Sequence, residues 1–267
     1  MDGQEMMKEL RAQASEKYRE NMIRMGIPAE NSIGVATSVV RGLAKKAGKS
    51  QELAFELWNT KYHEARMLAV LLMNPKATTD AEAERLLLDV VSWDLCDHLC
   101  KNLFLKMKSR DNFIAKWIRE PQLYKKRAAF VLIEASVIHD KKLTDETVDG
   151  YLELVTQHAD DGREHVKKAV STALREIGKK NFHYNEKALL LAHEWMEGES
   201  KALRWIGKDA AKELETMVKA EVSWYNKVVT PNGKYMIYSN QCKGRCYTCQ
   251  KQKSMNQNLK RKSYSSI

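Results

Sequence analysis

The sequence predicts an all-α protein, and three observations carry that reading. Four prolines and twelve glycines are spread over 267 residues, so long uninterrupted segments remain between the breakers. Within those segments apolar residues recur at helical spacing. A loose internal repeat links them. Glu64-Ala65-Arg66-Met67-Leu68-Ala69-Val70 resembles Lys126-Arg127-Ala128-Ala129-Phe130-Val131-Leu132, and both resemble Lys167-Lys168-Ala169-Val170-Ser171-Thr172-Ala173-Leu174. Anchored on Arg66, Asp97, Arg127 and Lys168, the units lie 31, 30 and 41 residues apart, close to the roughly 40-residue period of HEAT and armadillo units. Helix pairs of that kind stack into an α-solenoid, a superhelix with a concave face, and the basic anchors would line one side of it.

The elements follow in order. Helices are expected over about 3–25, 34–47, 50–59, 61–74, 79–90, 93–107, 109–118, 121–139, 143–158, 162–179, 182–196 and 200–227, with ends uncertain by about three residues. Thr79-Asp80 and Thr144-Asp145-Glu146 carry helix-start chemistry, and Glu120-Pro121 opens another helix. After Val228 the pattern changes. Thr230-Pro231-Asn232-Gly233 reads as a turn, Lys234 to Tyr238 as a short strand, and Lys251, Lys253, Lys260, Arg261 and Lys262 as part of a polar basic tail. The expected organisation is one repeat domain over 1–228 and a poorly ordered, cysteine-containing basic tail over 229–267.

Composition bounds the function. Lys and Arg number 45 against 35 Asp and Glu, a net charge of +10, so the surface favours polyanions, duplex DNA among them. The N-terminal residues are polar, with no apolar stretch of the signal-peptide kind, and the longest apolar run, Met67 to Met73, is far short of the roughly 20 residues that span a bilayer. A cytoplasmic, monomeric protein with no membrane partner is expected. Five cysteines at uneven positions make no disulfide framework. Cys96 and Cys100, one helical turn apart, read as buried structural thiols. Cys242, Cys246 and Cys249 have a C-x3-C-x2-C spacing that could hold zinc, but are read as inert thiols, so neither a metal nor a cofactor is expected. Glycine-rich phosphate loops, HExxH and GxSxG are all missing from the sequence, which leaves nucleotide hydrolysis, zinc proteolysis and serine hydrolysis without support.

The most informative segment is Ser92-Trp93-Asp94-Leu95-Cys96-Asp97, followed about thirty residues later by Lys125-Lys126-Arg127-Ala128-Ala129. On a helix Trp93 and Asp97 lie one turn apart and share a face, so an aromatic plane and a carboxylate point at one object. A carboxylate on a basic surface repels phosphate, so what it faces should be positive. Each residue also has a plainer role. Trp93 can pack in a core, Asp97 can be solvated or pair with Arg127, and Arg127 can brace the solenoid through a neighbouring helix. His98 and His165 read as helix-surface residues.

Those motifs, with Glu64-Ala65-Arg66-Met67-Leu68-Ala69 before them and Val166-Lys167-Lys168-Ala169-Val170-Ser171-Thr172-Ala173-Leu174-Arg175-Glu176 after, resemble in order and spacing the AlkD-like DNA alkylation repair family, over roughly residues 20 to 225. The resemblance implies HEAT-like repeats wrapped around duplex DNA and excision of cationic N3- and N7-alkylated purines, such as 3-methyladenine and 7-methylguanine, by a DNA glycosylase. It implies that Trp93 packs on the deoxyribose of the lesion, Asp97 is the catalytic carboxylate and Arg127 contacts the backbone. The family's second aromatic falls at Thr172, which supplies no ring. Arg66, Lys126 and Lys168 join Arg127 and Thr172 as expected DNA contacts.

The chemistry is consistent with that assignment. A cationic base leaves without a general acid, and what remains is to stabilise the oxocarbenium-like sugar. A carboxylate at ~4 Å and an effective dielectric near ~20 supplies roughly 4 kcal/mol, about a thousandfold in rate. The alternative is a non-catalytic binder of damaged or branched DNA on the same scaffold, for which Thr172 is the main argument. A third reading is a solenoid scaffold for a protein partner.

Overall fold

The structure is a computed structural model that describes residues 2–224, with side chains over 2–216. Among the described residues there are thirteen α-helices, two short 3-10 turns and no strand. The helices are α1 (Gly3–Ala12), α2 (Glu16–Arg24), α3 (Thr37–Ala47), α4 (Gln51–Asn59), α5 (His63–Leu72), α6 (Asp80–Leu88), α7 (Trp93–Asn102), α8 (Arg110–Trp117), α9 (Leu123–His139), α10 (Asp145–His158), α11 (Glu164–Lys179), α12 (Phe182–Glu197) and α13 (Lys201–Trp224). The all-α expectation holds. The expected boundary at 228 and the tail, with Cys242, Cys246 and Cys249, lie outside the described residues.

The chain divides into two compact units, Met1–Glu176 and Ile177–Ile267. Two helices form the inner layer of the first. In α5 every residue but Leu71 is buried, and α9 is buried from Arg127 to Ser136. Around α5 pack α3, α4 and α7, while α7, α8 and α6 pack on α9. Small residues make this possible. Ala65 and Ala69 in α5, and Ala128, Ala129 and Ala135 in α9, are almost wholly buried, so neighbouring helices approach closely, and the first two repeat motifs coincide with these inner helices. Phe113 stacks on Trp117, ring centroids 4.4 Å apart, and the Trp117 indole N–H donates to Glu84 of α6 at 2.7 Å. In the second unit α12 packs on α13, burying Tyr184, Ala188, Ile206 and Leu214.

Helix punctuation matches the sequence reading at Thr79, which forms a reciprocal capping box with Glu82, and at Thr144, whose hydroxyl accepts from the Thr147 N–H. Pro121 precedes the helix it was expected to open, since Gln122 is the cap of α9.

The expected helix over 3–25 is broken. Ser15 has extended backbone and caps α2, its hydroxyl accepting from the Tyr18 N–H, and its own N–H donates to the Gly34 carbonyl at 2.9 Å. Gly34 has φ +87°, and a Cβ there would lie 2.6 Å from the Ser15 carbonyl oxygen, so only glycine fits this crossing. The loop around it is held by Glu64, which is 1% exposed. Its carboxylate accepts the N–H groups of Ile33 at 2.9 Å, Gly34 at 2.6 Å and Val35 at 3.2 Å, and the Ser32 hydroxyl at 3.3 Å. An acidic side chain at the start of an apolar helix thereby fixes the segment that carries α2.

His98, read from sequence as a surface residue, is buried at 7% exposure. Its Nε2–H donates to the Met67 carbonyl at 2.9 Å, and its Nδ1 accepts from the Asn102 amide at 3.2 Å. The neutral ring satisfies both neighbours, and burial first, then repulsion from Arg41, lowers its pKa from 6.5 to about 4. Its folded pKa is below the unfolded one, so the unfolded chain takes up the proton first as pH falls. The stability that His98 provides above pH 6.5 should therefore be lost between pH 6.5 and about 4, by roughly 3 kcal/mol. Thermal midpoints over that window should fall less steeply for His98→Gln than for the parent, and equal slopes would refute the assignment.

Candidate functional site

The site is built on the first turns of α7 and the N-terminal half of α9. Trp93 and Asp97 share a face of α7 and both are partly exposed, as their spacing requires. The Trp93 indole N–H donates to the Met25 carbonyl at 3.1 Å, so the ring is pinned to the end of α2, the element fixed by Glu64 and Gly34. Behind it, the Asp94 carboxylate meets His63 Nε2 at 2.9 Å, joining α7 to α5. Burial opposes the charge of Asp94, but the bond and charge of His63, together with Ser92 and the Leu95 N–H, outweigh it and lower its pKa.

Arg127 lies at the centre. Its Nε and Nη2 donate to the two Asp97 oxygens, each at 2.8 Å, and its Nη1 donates to the His165 carbonyl. Its guanidinium carbon also lies 5.8 Å from the Trp93 ring centroid, so one residue contacts the aromatic, the carboxylate and the start of α11. The side chains of Arg127 and Asp97 are 8% and 19% exposed. Burial disfavours the Arg127 charge, but Asp97 more than offsets this and raises its pKa. Removing one partner of a pair this enclosed costs about 3–5 kcal/mol.

Two aromatic side chains complete the surroundings, and sequence reasoning did not single out either for this role. The Tyr124 hydroxyl donates to the Val91 carbonyl at 3.0 Å, and its ring stacks with His165, centroids 6.4 Å apart and planes 27° from parallel. His165 is thus a packed neighbour of the site, where sequence gave a helix-surface residue. Burial and the nearby Arg127 charge lower its pKa. The available signal was Tyr124 three residues before Arg127, one turn away on the same helix.

The remaining expected DNA contacts divide. Lys168 has a side chain 58% exposed, with an i,i+4 partner in Glu164 at 3.1 Å. Lys126 is tied to Asp161 at 3.1 Å, its side chain 15% exposed. Although burial opposes it, Arg163 and Lys126 draw the Asp161 carboxyl down to about 2. Thr172 is bonded locally, its hydroxyl donating to the Lys168 carbonyl and accepting from Arg175.

Arg66 departs from the expected surface contact. Only 8% exposed, it donates to the Trp58 carbonyl at 3.2 Å and the Asp89 carbonyl at 2.8 Å, with its guanidinium 4.9 Å from the Trp58 ring centroid. Its fork is spent on joining α4, α5 and the end of α6, because a long basic stem can lie along an aromatic face while the head bonds carbonyls. Cys96 and Cys100 are buried, their thiols directed at the Tyr124 and Ala128 carbonyls of α9.

An all-α protein with buried inner helices, and with a partly exposed aromatic and carboxylate on α7 held by a buried guanidinium on α9, belongs to the helical-repeat class. The family model described as DNA alkylation repair enzyme matches residues 6–214, and the chain belongs to that family. A solved structure described as "A new family of proteins related to the HEAT-like repeat DNA glycosylases with affinity for branched DNA structures" superposes with a TM-score of 0.71 at 22% identity, covering 83% of this chain and 95% of the other. It shares the fold. A designed armadillo repeat protein matches at a TM-score of 0.32 and 15% identity, over 66% of this chain and 92% of its own. No curated protein matches the sequence. Among the described residues no helix is long and apolar enough to cross a membrane.

Proposed function

We propose that this protein is a DNA glycosylase that hydrolyses the N-glycosidic bond of cationic N3- and N7-alkylated purines in duplex DNA, with Asp97 facing the oxocarbenium-like sugar and Trp93 its aromatic wall. The observation that carries this reading is the pairing of a partly exposed indole and a partly exposed carboxylate on one face of α7, inside a family of DNA alkylation repair enzymes. Each carboxylate oxygen can accept two hydrogen bonds, so Asp97 keeps acceptor capacity for a water or a sugar after Arg127 has bonded both oxygens. Lys168, the most exposed of the expected cations, supplies a phosphate contact. Lys126 and Thr172 are further contacts on this reading, while Arg66 supports the site through helix packing.

The Asp97 field is weaker than for an isolated charge. Taking the sugar at ~4 Å from the carboxylate and ~8 Å from the guanidinium, attraction of about 4 kcal/mol is opposed by about 2 kcal/mol at an effective dielectric of ~20. The net, ~2 kcal/mol, is worth about thirtyfold. Charge on the departing base has to supply the rest of the driving force, which suits cationic lesions and disfavours neutral ones.

That attenuation, with the absence of a ring at Thr172, favours one second reading: a non-catalytic binder of damaged or branched DNA, the latter being the affinity described for the superposed protein. Release of free 7-methylguanine and 3-methyladenine from methylated duplex separates the two. Release is expected, together with duplex affinity that falls steeply between 50 and 200 mM salt, about three decades for six phosphate contacts. Binding to three- and four-way junctions with no base release would establish the binder instead.

A further inference from the structure

We infer that Arg127 is a positioning residue that presents Asp97 to the sugar, and that it does not serve as a phosphate ligand. The inference rests on the glycosylase reading for what Asp97 does, but its geometric part stands on its own. A phosphate-binding arginine extends its fork to solvent. Here the Nε, Nη1 and Nη2 positions each have an acceptor inside the protein, two on Asp97 and one on the His165 carbonyl. The residue is 6% exposed.

The three acceptors belong to two elements, Asp97 to α7 and His165 to α11, with Arg127 itself on α9. A planar fork that bonds both carboxylate oxygens fixes the plane as well as the position of that carboxylate, which an ammonium cannot do. The Trp93 ring close to the guanidinium is held from its other end by the Met25 carbonyl. Both groups proposed to face the sugar are therefore held by α9 or by the end of α2, and neither depends on DNA for its placement. Arg66 supports the same logic: at the corresponding position of α5, it too turns inward to a backbone carbonyl of a neighbouring element. Inward-facing arginine at this repeat position is a bracing device, and in α9 the brace has acquired a carboxylate.

The first test uses the unaltered protein. The Arg127 Nε–Hε resonance, assigned by its loss in Arg127→Lys, should keep its shift and slow exchange when unmodified duplex is titrated to saturation; a shift that tracks DNA occupancy would mean the fork moves to phosphate and overturns the proposal. Two variants supply independent readouts. For Arg127→Gln the slope of log affinity against log salt should equal that of the parent, whereas a phosphate ligand would lower its magnitude by about one, the change expected for Lys168→Ala. For Arg127→Lys, which keeps the charge and loses the fork, kcat for base release should drop about ten- to a hundredfold with KM unchanged. A rise in KM at constant kcat overturns the proposal. If the parent releases no base, the glycosylase reading fails, while the resonance and the salt slope still decide whether Arg127 touches phosphate. Should either variant fail to fold, as its thermal midpoint would show, the resonance test still decides through assignment by selective labelling.

Discussion

Replacing Glu64 with alanine is expected to lower the stability of the first unit by about 4 kcal/mol, near the upper end for a single substitution. The reason is the number of donors the side chain serves. Three successive backbone N–H groups and the Ser32 hydroxyl converge on one carboxylate that is 1% exposed, and a buried donor left without a partner costs about 1–3 kcal/mol. For a unit of this size the loss corresponds to a fall of roughly 10 °C in thermal midpoint. Glu64→Gln should recover only part of it, because the amide nitrogen that replaces one oxygen would face a backbone N–H. The effect should also reach the site, since the clamped loop carries Gly34, whose carbonyl accepts from Ser15 at the start of α2, and the end of α2 supplies the Met25 carbonyl that holds Trp93. A loss below about 1 kcal/mol by thermal or urea unfolding would show that the loop is held by something other than Glu64.

What could be read in advance follows from the range of each interaction. Helical spacing is local, so the existence of nearly every helix, and the shared face of Trp93 and Asp97, were legible from the chain alone. The break at Ser15 was not, because its cause lies elsewhere: a crossing with Gly34 enforced by the backbone of a residue nineteen positions further on. Charged residues were the least legible. Arg66 and Arg127 have similar flanking sequences, and nothing in those sequences says whether a guanidinium reaches solvent or turns towards Trp58 and Asp89 in one case and Asp97 in the other. The pairing of Asp97 with Arg127 was one of the two plainer roles open to that carboxylate, and choosing it needed the distance between α7 and α9. Burial of His98 was hidden for the same reason, as it depends on the Met67 carbonyl of another helix. Glu64 had a signal that went unused, a lone acid among the apolar residues of an inner helix.

The second large effect belongs to Asp97→Asn, for which base release is expected to fall about a thousandfold, more than the net contribution of the Asp97–Arg127 pair in the parent. In the parent, Asp97 and Arg127 act on the sugar together, and their opposed fields leave ~2 kcal/mol of stabilisation. Asparagine removes only the favourable part. The Arg127 charge then acts alone on a developing cation, turning ~2 kcal/mol of help into about 2 kcal/mol of hindrance, a swing of ~4 kcal/mol. The same substitution leaves Arg127 buried with its charge unmatched, so a stability loss of about 3 kcal/mol should accompany the loss of rate, and kcat must be compared well below the midpoint of the variant. The two contributions separate in the double variant Asp97→Asn/Arg127→Gln. With both charges gone the hindrance disappears, so the double variant should release base faster than Asp97→Asn alone, by about thirtyfold, while remaining slower than the parent. A double variant no faster than the single one would mean that the guanidinium charge does not reach the reacting sugar, and that orientation of the carboxylate is the whole of what Arg127 contributes.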